Sequence, residues 1–424
     1  METEYPLVTL GEIAAVRSGF AFKSRDWTDA GVPVVKIANV KGGRLEMDGC
    51  SYVSLDVAAD ASDAQLNIGD ILISMTGYIG EVAIVGPRDL PAVLNQRVGR
   101  FLITQPSRLD PGYLFYVLRA HSVQNEIERL GYGSAQPNVS PSSIQGIKIP
   151  LPSLLQQRAI ASILGMLDDK VELNRTMSAT LETTARALFK SWFVDLDPVH
   201  AKAEGRDTGL TSDISAFFPD EFDRKHETLV PRGWKRQSLD DIATFLNGLA
   251  LQKFPARDGK ATFPIIKIAQ LRAGNAVGAD RAGAGIPSDY VIENGDILFS
   301  WSGSLECEIW VGGSGALNQH LFKVRGTTVP DWFAYLSVKQ HLPEFRHIAA
   351  GKATTMGHIQ RYHLHEATIA VPPKPLLQIA SAVIGPLVES SWHRRLESVT
   401  LAVIRDILLP KLLSGEVQIP CNPE

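Results

Sequence analysis

Cysteine is scarce in this sequence: Cys50, Cys307 and Cys421 lie far apart and form no CxxC pair. That spacing excludes both a disulfide framework and a thiolate metal site. No apolar run approaches the roughly 18 residues needed to cross a bilayer. The start, METEYPLVTL, has neither the positive n-region nor the apolar stretch of a secretory signal, so a cytoplasmic protein is expected. Short catalytic signatures are missing too. There is no GxGxxG or P-loop phosphate cradle, no HExxH pair, no GxSxG elbow and no Asn-Pro-Pro-aromatic motif of an amino-methyltransferase. FPDEFDRK, Phe218 to Lys225, has the letters of a nuclease carboxylate-lysine set, but crowded together without a strand to carry them. It reads as a solvated connection. His358, His363 and His365 fall in GHIQRYHLHE, the last two expected on one face of a strand. No carboxylate or cysteine at useful spacing completes a metal site around them.

Excess positive charge is also absent. The chain carries 42 Lys and Arg against 46 Asp and Glu, a net charge of −4, which argues against binding nucleic acid by bulk electrostatics. The distribution is uneven: residues 1–150 hold 13 basic against 16 acidic side chains, and residues 232–373 hold 15 against 12. A DNA partner would therefore be met by local contacts or by charge from other subunits. With 45% hydrophobic and 21% charged residues, the 424-residue chain belongs with folded globular proteins. At about 150 residues per domain it has room for two or three domains.

What is present is a repeat. GDILISMTG at Gly69 returns as GDILFSWSG at Gly295, VVKIANV at Val34 as IIKIAQL at Ile265, LNQR at Leu94 as LNQH at Leu317, and IPLPSLLQQ at Ile149 as VPPKPLLQ at Val371. The offsets are 226, 231, 223 and 222; in chain order they shrink steadily, as small deletions in a second copy require. Two homologous halves follow, not a short-period solenoid. Before each proline-rich segment, β-branched runs broken by Gly, Asn and Asp predict strands and turns, with one helical stretch, PGYLFYVLRAHSVQNEIERL or PDWFAYLSVKQHLPEFRHI. Asp70 and Asp296 read as turn residues rather than catalytic ones.

After the prolines the period becomes helical. Ile160, Leu164, Leu167, Val171, Asn174, Ser178, Leu181, Ala185, Leu188 and Trp192 step by 4 and 3, a seam facing another helix. Leu387, Ser391, Leu396, Val399, Val403 and Ile407 mark a matching face, with Pro386 expected to kink or restart that helix and Pro410 to disturb its last turn. The predicted fold is α+β: two similar mixed α/β domains separated by two long helices packed as an antiparallel coiled coil. The expected order is domain 1 over 1–152, a first long helix over 153–195, a linker over 196–233, domain 2 over 234–373, a second long helix over 374–415 and a tail over 416–424. Phe217, Phe218 and Phe222 should pin the linker to the surface.

The two mixed domains, the helix entry IPLPSLLQQRAIASIL, its exit FKSWFVDLDPV, the linker's FFPDEF and VPRGW, and the terminal LLPKLLSGEV together resemble the DNA-specificity subunit of type I restriction-modification systems. The likeness spans nearly the whole chain, in order. It implies two target-recognition domains, one for each half-site of a bipartite double-stranded DNA target, and helices that dock methyltransferase subunits, two being expected. It implies no catalysis and no cofactor in this chain. S-adenosylmethionine would come with the modification subunits, and ATP with magnesium with restriction or translocase subunits that join them. The alternative is a nucleic-acid enzyme, a nuclease with an unrecognised active site.

Base edges are matched by Arg, Lys, Asn, Gln, Ser or Thr presented on loops. In the first domain the candidates are Lys23, Arg25, Lys36, Asn39, Tyr78, Arg97, Gln136 and Asn138, the last two in the loop GSAQPNVS. In the second they are Lys253, Lys260, Arg272, Trp301, Gln319, Lys352, Thr354, Thr355 and His358. Tyr78 and Trp301 follow strands, so a core role competes with a contact role for both. Buried aromatics dominate interfaces, which makes Phe189, Phe193 and Trp392 the candidate partner anchors; Trp192, on the seam, is expected to close the coiled coil.

Overall fold

In both halves the repeated Gly-Asp phrase is a turn into a buried strand. Gly69 (φ +86°) and Gly295 (φ +95°) occupy the left-handed region that glycine enters without steric cost. Asp70 accepts the Asn67 N–H (2.9 Å), and Asp296 accepts the Glu293 N–H (2.8 Å). The strands that follow, Ile71–Ser74 and Ile297–Ser300, are wholly buried. At their ends the Ser74 hydroxyl donates to the Tyr78 carbonyl, and the Ser300 hydroxyl to the Ser304 carbonyl (2.9 Å). Each carboxylate also meets a cation on the neighbouring strand of the sheet: Asp70 with Arg100 (3.2 Å), Asp296 with Lys323 (2.8 Å) and Arg325 (3.2 Å). The phrase is repeated because it builds a turn, a core strand and a pinned loop.

This computed structural model describes residues 4–131, 138–223, 229–257, 259–351 and 357–420. The chain forms two units, residues 1–169 with 402–424, and residues 170–401. In the first, an antiparallel sheet runs in the order Ala14–Ser18, Val98–Ile103, Ile71–Ser74, Val82–Ile84. A second sheet pairs Val93–Leu94 in parallel with Val32–Val35, followed by Ser51–Val53 and Trp27–Thr28. The short strand Leu7–Thr9 pairs with Lys148–Pro150. The helical stretch is two helices, Pro111–Arg119 and His121–Gly131, broken at extended Ala120 and started by Asp110, whose carboxylate accepts the Tyr113 N–H (3.0 Å).

The second unit repeats this plan. Ala243–Asn247, Leu321–Gly326, Ile297–Ser300 and Cys307–Ile309 form the antiparallel sheet. Thir parallel counterpart pairs Thr262–Ile266 with Gly315–Leu317, and Lys235–Ser238 pairs with Thr368–Val371. Here the helical stretch is one helix, Asp331–Ala350, which carries Pro343 inside it. The segment holding His363 and His365 is a helix, Arg361–Glu366, not the expected strand. His363 is buried and its Nδ1 accepts the Gln360 N–H (2.9 Å), a local bond that starts a helical turn. His365 faces Asp240 (3.2 Å). The connection holds short helices, Asp197–Ala203 and Ser212–Ser215, and is pinned by Phe218, buried between Trp192 and Trp234 at ring separations of 5.5 and 6.3 Å. Phe217 stays exposed, and Glu221 of the nuclease-like letters is spent on Arg232 (2.7 Å).

The first long helix is Leu154–Phe193, about 60 Å at 1.5 Å per residue. Ile160, Leu164, Asn174, Ser178, Ala185 and Trp192 of its expected seam are buried. The second restarts at Pro386 as anticipated, with Lys374–Val383 followed by Gly385–Ser414, and Pro410 is absorbed within the latter. Within the second unit the helices run antiparallel: the Ser178 and Ser391 hydroxyls meet at 2.9 Å, and Asn174 donates to Glu397 (2.9 Å). The expected face of the second helix needs correcting at its far end. Val403 and Ile407 are 52% and 54% exposed, whereas Arg405 points inward onto Asp168 (2.6 Å) and Leu409 is buried. A polar pair takes the inward position there, and a count of hydrophobic residues cannot find it.

Candidate nucleic-acid interface

In the first unit four loops meet at one end of the antiparallel sheet. Phe20 and Asn95 bridge in parallel, with the Phe20 N–H on the Leu94 carbonyl (2.8 Å) and the Gln96 N–H on the Phe20 carbonyl (2.9 Å). Met75 N–H donates to the Arg97 carbonyl (3.0 Å), and Val139 N–H to the Met75 carbonyl (2.8 Å). Thr76 Oγ1 donates to Asn138 Oδ1 (3.0 Å). Gly19 makes the crowding possible, since a Cβ there would lie 2.2 Å from the Leu94 oxygen. Tyr78 (79% exposed), Gln96, Arg97 and Asn138 stand outward from this cluster.

The second unit builds the same cluster from different side chains. Leu249 bridges Asn318, Ser302 bridges His358, and Trp301 N–H donates to the His320 carbonyl (3.3 Å) while Ile359 N–H donates to the Trp301 carbonyl (2.9 Å). Gly248 takes the place of Gly19, with a Cβ there 2.2 Å from the Asn318 oxygen. In both halves an asparagine fixes the turn: Asn95 Oδ1 accepts the Arg97 N–H and Asn318 Oδ1 accepts the His320 N–H, each at 3.2 Å. Trp301 is half-buried, and its indole N–H donates to Asn247 Oδ1 (3.0 Å) and to the Gln319 carbonyl (3.1 Å), so it forms a wall of the site rather than a free stacking ring. Beside it His320 Nδ1 meets the Ser302 hydroxyl at 3.0 Å.

Of the sequence candidates, Tyr78, Arg97, Asn138, Trp301, Gln319 and His358 thus converge, three in each unit. Sequence reasoning missed Thr76, Gln96, Asn247, Ser302 and His320. The offset of 223 already paired Arg97 with His320. Lys23 and Arg25 are exposed on the short helical turn Ser24–Asp26. Lys253 and Lys260 line a cleft of about 540 Å³ with Arg257 and Phe254. Arg272 is tied to Glu306 (3.3 Å). Gln136, Lys352, Thr354 and Thr355 lie outside the described residues. Lys36 is committed to Ser51 (2.7 Å) and the Trp27 ring (3.9 Å). Asn39 is a correction: it is buried, and its amide caps its own turn by accepting the Lys36 N–H (2.9 Å) and donating to the Glu46 carbonyl (2.8 Å). Phe189 and Phe193 are corrected likewise. Both are 1% exposed and packed on Phe333 at ring separations of 5.1 and 5.2 Å, so the second unit's own core consumes them. Trp392 stays half-buried, stacked on His393 (3.7 Å).

Each unit also locks the long helices to its own domain helix with a polar clamp. In the first, Asp168 accepts from Tyr116 (2.9 Å), Arg119 (3.0 Å) and Arg405 (2.6 Å). Burial alone would raise the Asp168 carboxyl, but Arg119, Arg405 and the Tyr116 hydroxyl outweigh it and hold it below the usual carboxylate range. In the second, Lys339 lies between Glu308 (2.7 Å) and Glu182 (3.1 Å), and Arg395 closes on Glu308 (2.8 Å). Burial opposes both charges of the central pair. Lys339 and Arg395 nevertheless hold Glu308 low, and Glu308 with Glu182 holds Lys339 high. Burial, reinforced by Glu308 and Glu182, raises the Tyr335 hydroxyl at the same place.

A family model described as the type I restriction modification DNA specificity domain matches residues 2–183 and 231–382. The MjaIX type I restriction enzyme specificity subunit of Methanocaldococcus jannaschii is 26% identical over 361 residues, covering 83% of this chain and 78% of its own. The HindI specificity subunit of Haemophilus influenzae is 26% identical over 379 residues, covering 75% and 80%. The crystal structure of a type I restriction-modification system S subunit from M. genitalium shares the fold, with a TM-score of 0.57 at 16% identity over 97% of this chain and 96% of that one.

Proposed function

We propose, for a chain that belongs to the type I restriction-modification DNA specificity family, that the two equivalent loop clusters are the surfaces that touch DNA. The chain is a non-catalytic specificity subunit with two recognition domains, suited to a bipartite target, and such subunits work in complexes with DNA and other restriction-modification subunits. Nothing in the comparisons supports the nuclease alternative. The observation that carries the DNA-contact reading is the repeat itself: one main-chain frame, held by the same asparagine turn and the same glycine approach, presents Arg97 and Asn138 in one half and His320 and His358 at the same places in the other. A shared frame with unlike side chains is what reading two unlike half-sites requires.

In this reading the recognition domains are residues 1–152 and 234–373, and the helical segments between and after them set the unread gap, as spacing sets half-site separation in other DNA readers. Lys23, Arg25, Lys253 and Lys260, exposed and off the loop clusters, contact phosphates. Two modification subunits dock on the helices and bring S-adenosylmethionine; restriction subunits that join bring ATP and magnesium. Trp392 and the exposed Val403 and Ile407 supply part of the docking surface. The complex works in the cytoplasm. Among the described residues no helix is long and apolar enough to cross a membrane.

The test is reconstitution. The chain alone should neither cut nor methylate DNA; mixed with its modification subunit and S-adenosylmethionine, it should yield adenine methylation at two short constant blocks around a fixed gap, mapped by methylation-sensitive sequencing. Methylation at a single continuous motif, or none, would refute the reading.

A further inference from the structure

The two clusters differ at a position whose main chain is held the same way in both, and we infer that Arg97 and its counterpart His320 are the residues that make the two halves of the target read differently, Arg97 by recognising a guanine. This rests on the assignment of the loop clusters to DNA contact.

The main chain at Arg97 is fixed from three sides. Its N–H is held by Asn95 Oδ1 (3.2 Å), its carbonyl by the Met75 N–H (3.0 Å), and the strand Val98–Ile103 begins at the next residue. His320 has the same three restraints from Asn318, Trp301 and the strand Leu321–Gly326. The preceding Leu-Asn-Gln is identical in the two halves. Only the side chain at the end of the turn changes.

The two side chains are also prepared differently. Arg97 is exposed, and among the described residues its guanidinium has no hydrogen-bond or ion-pair partner. Its fork of donors, launched from an immobilised turn, matches the paired O6 and N7 acceptors of guanine in the major groove. His320 is half-buried, with Nδ1 on Ser302 (3.0 Å) and Nε2 3.4 Å from the Gln319 amide. Both ring nitrogens already face a partner, and an imidazole cannot span two acceptors as a guanidinium does. A phosphate contact, which is the same on every sequence, would be served by the same cation in both halves. A change from arginine to an anchored histidine in an otherwise identical turn fits base reading.

The experiment maps the methylated motif of the complete complex, this chain with its modification subunit, for wild type, R97A, R97Q and H320R. Thermal unfolding confirms that each variant folds; both positions are at least partly exposed to solvent. R97A and R97Q should each make one guanine of the first block degenerate, with discrimination at that base falling roughly 5- to 150-fold, and should leave the second block unchanged. H320R should alter one base of the second block toward guanine and leave the first block unchanged. Four results would overturn the inference: uniform loss of methylation with an unchanged motif, which marks a phosphate contact; a change in the block assigned to the other domain; an unaltered motif at normal rate; or loss of discrimination at a base other than guanine. A wild-type complex that yields no bipartite motif refutes the DNA-contact reading itself, a separate outcome visible before any variant is made.

Discussion

Replacing Lys339 by methionine isolates the clamp of the second unit. Its side chain is 11% exposed and its ammonium separates two carboxylates, Glu308 at 2.7 Å and Glu182 at 3.1 Å, with Arg395 a further cation on Glu308 and the Tyr335 hydroxyl 3.3 Å from Glu182. Methionine fills similar volume, so the change removes charge rather than packing. Breaking a buried pair from one side costs about 3–5 kcal/mol. Both carboxylates here are a quarter exposed, and solvent screening lowers that to about 2–4 kcal/mol. For a unit of this size the midpoint should fall by roughly 4–16 °C in calorimetry, at about 2–4 °C per kcal/mol.

The pH dependence sharpens this test. Glu308 is depressed in the folded state, so its contribution is complete above the unfolded glutamate pKa of about 4.3 and is lost as pH falls through the folded value. Lys339 is raised, so its contribution is complete below the unfolded lysine pKa of about 10.4 and is lost as pH rises through the folded value. The gap between wild type and K339M should therefore be widest between about pH 5 and 10. It should narrow toward pH 3 as the stranded carboxylates of the variant protonate. A midpoint change below 1 °C at pH 7, or a gap that widens in acid, would refute the assignment of stability to this cluster.

Other perturbations follow the same logic. Asp168→Asn leaves Arg119 and Arg405 without their shared carboxylate and should destabilise the first unit by about 2–3 kcal/mol, measured by urea unfolding, with the deficit complete above the unfolded aspartate pKa of about 3.9 and lost as pH falls through the lowered folded value. Asn95→Ala and Asn318→Ala free the turns behind Arg97 and His320 and should each lower the methylation rate of the reconstituted complex with a stability cost of about 1 kcal/mol; a normal rate would show that the turns need no fixing. Exchanging Lys253, Arg257 and Lys260 for glutamine should reduce the salt dependence of DNA binding by up to about three counterions without altering the methylated motif. A changed motif would mean that the cleft reads bases.

Repetition was the most legible feature of the chain. A fold duplicated in order, at slowly drifting offsets, repeats its turns and buried strands, because Gly69 and Gly295 must reach positive φ and the strands after them are buried throughout. Much of the long-helix seam was legible for a similar reason, since Ile160, Leu164 and Ala185 recur at the period of a helix face and face inward. The local class of the GHIQRYHLHE segment was not, because a single bond from Gln360 to His363 starts a helix where the letters alternate like a strand.

Sequence alone thus determined the two-part organisation, the family likeness and the absence of known catalytic signatures, all properties of residue order along the chain. Tertiary structure decided which side chains are available. Phe189, Phe193 and Asn39 have the chemistry of contact residues but are consumed inside their own units, while His320 gains its place because the loops holding Trp301 and Ser302 and holding Asn318 close on the same sheet end. Exposure and convergence arise from how distant segments pack, and the order of letters along one strand or helix does not encode them.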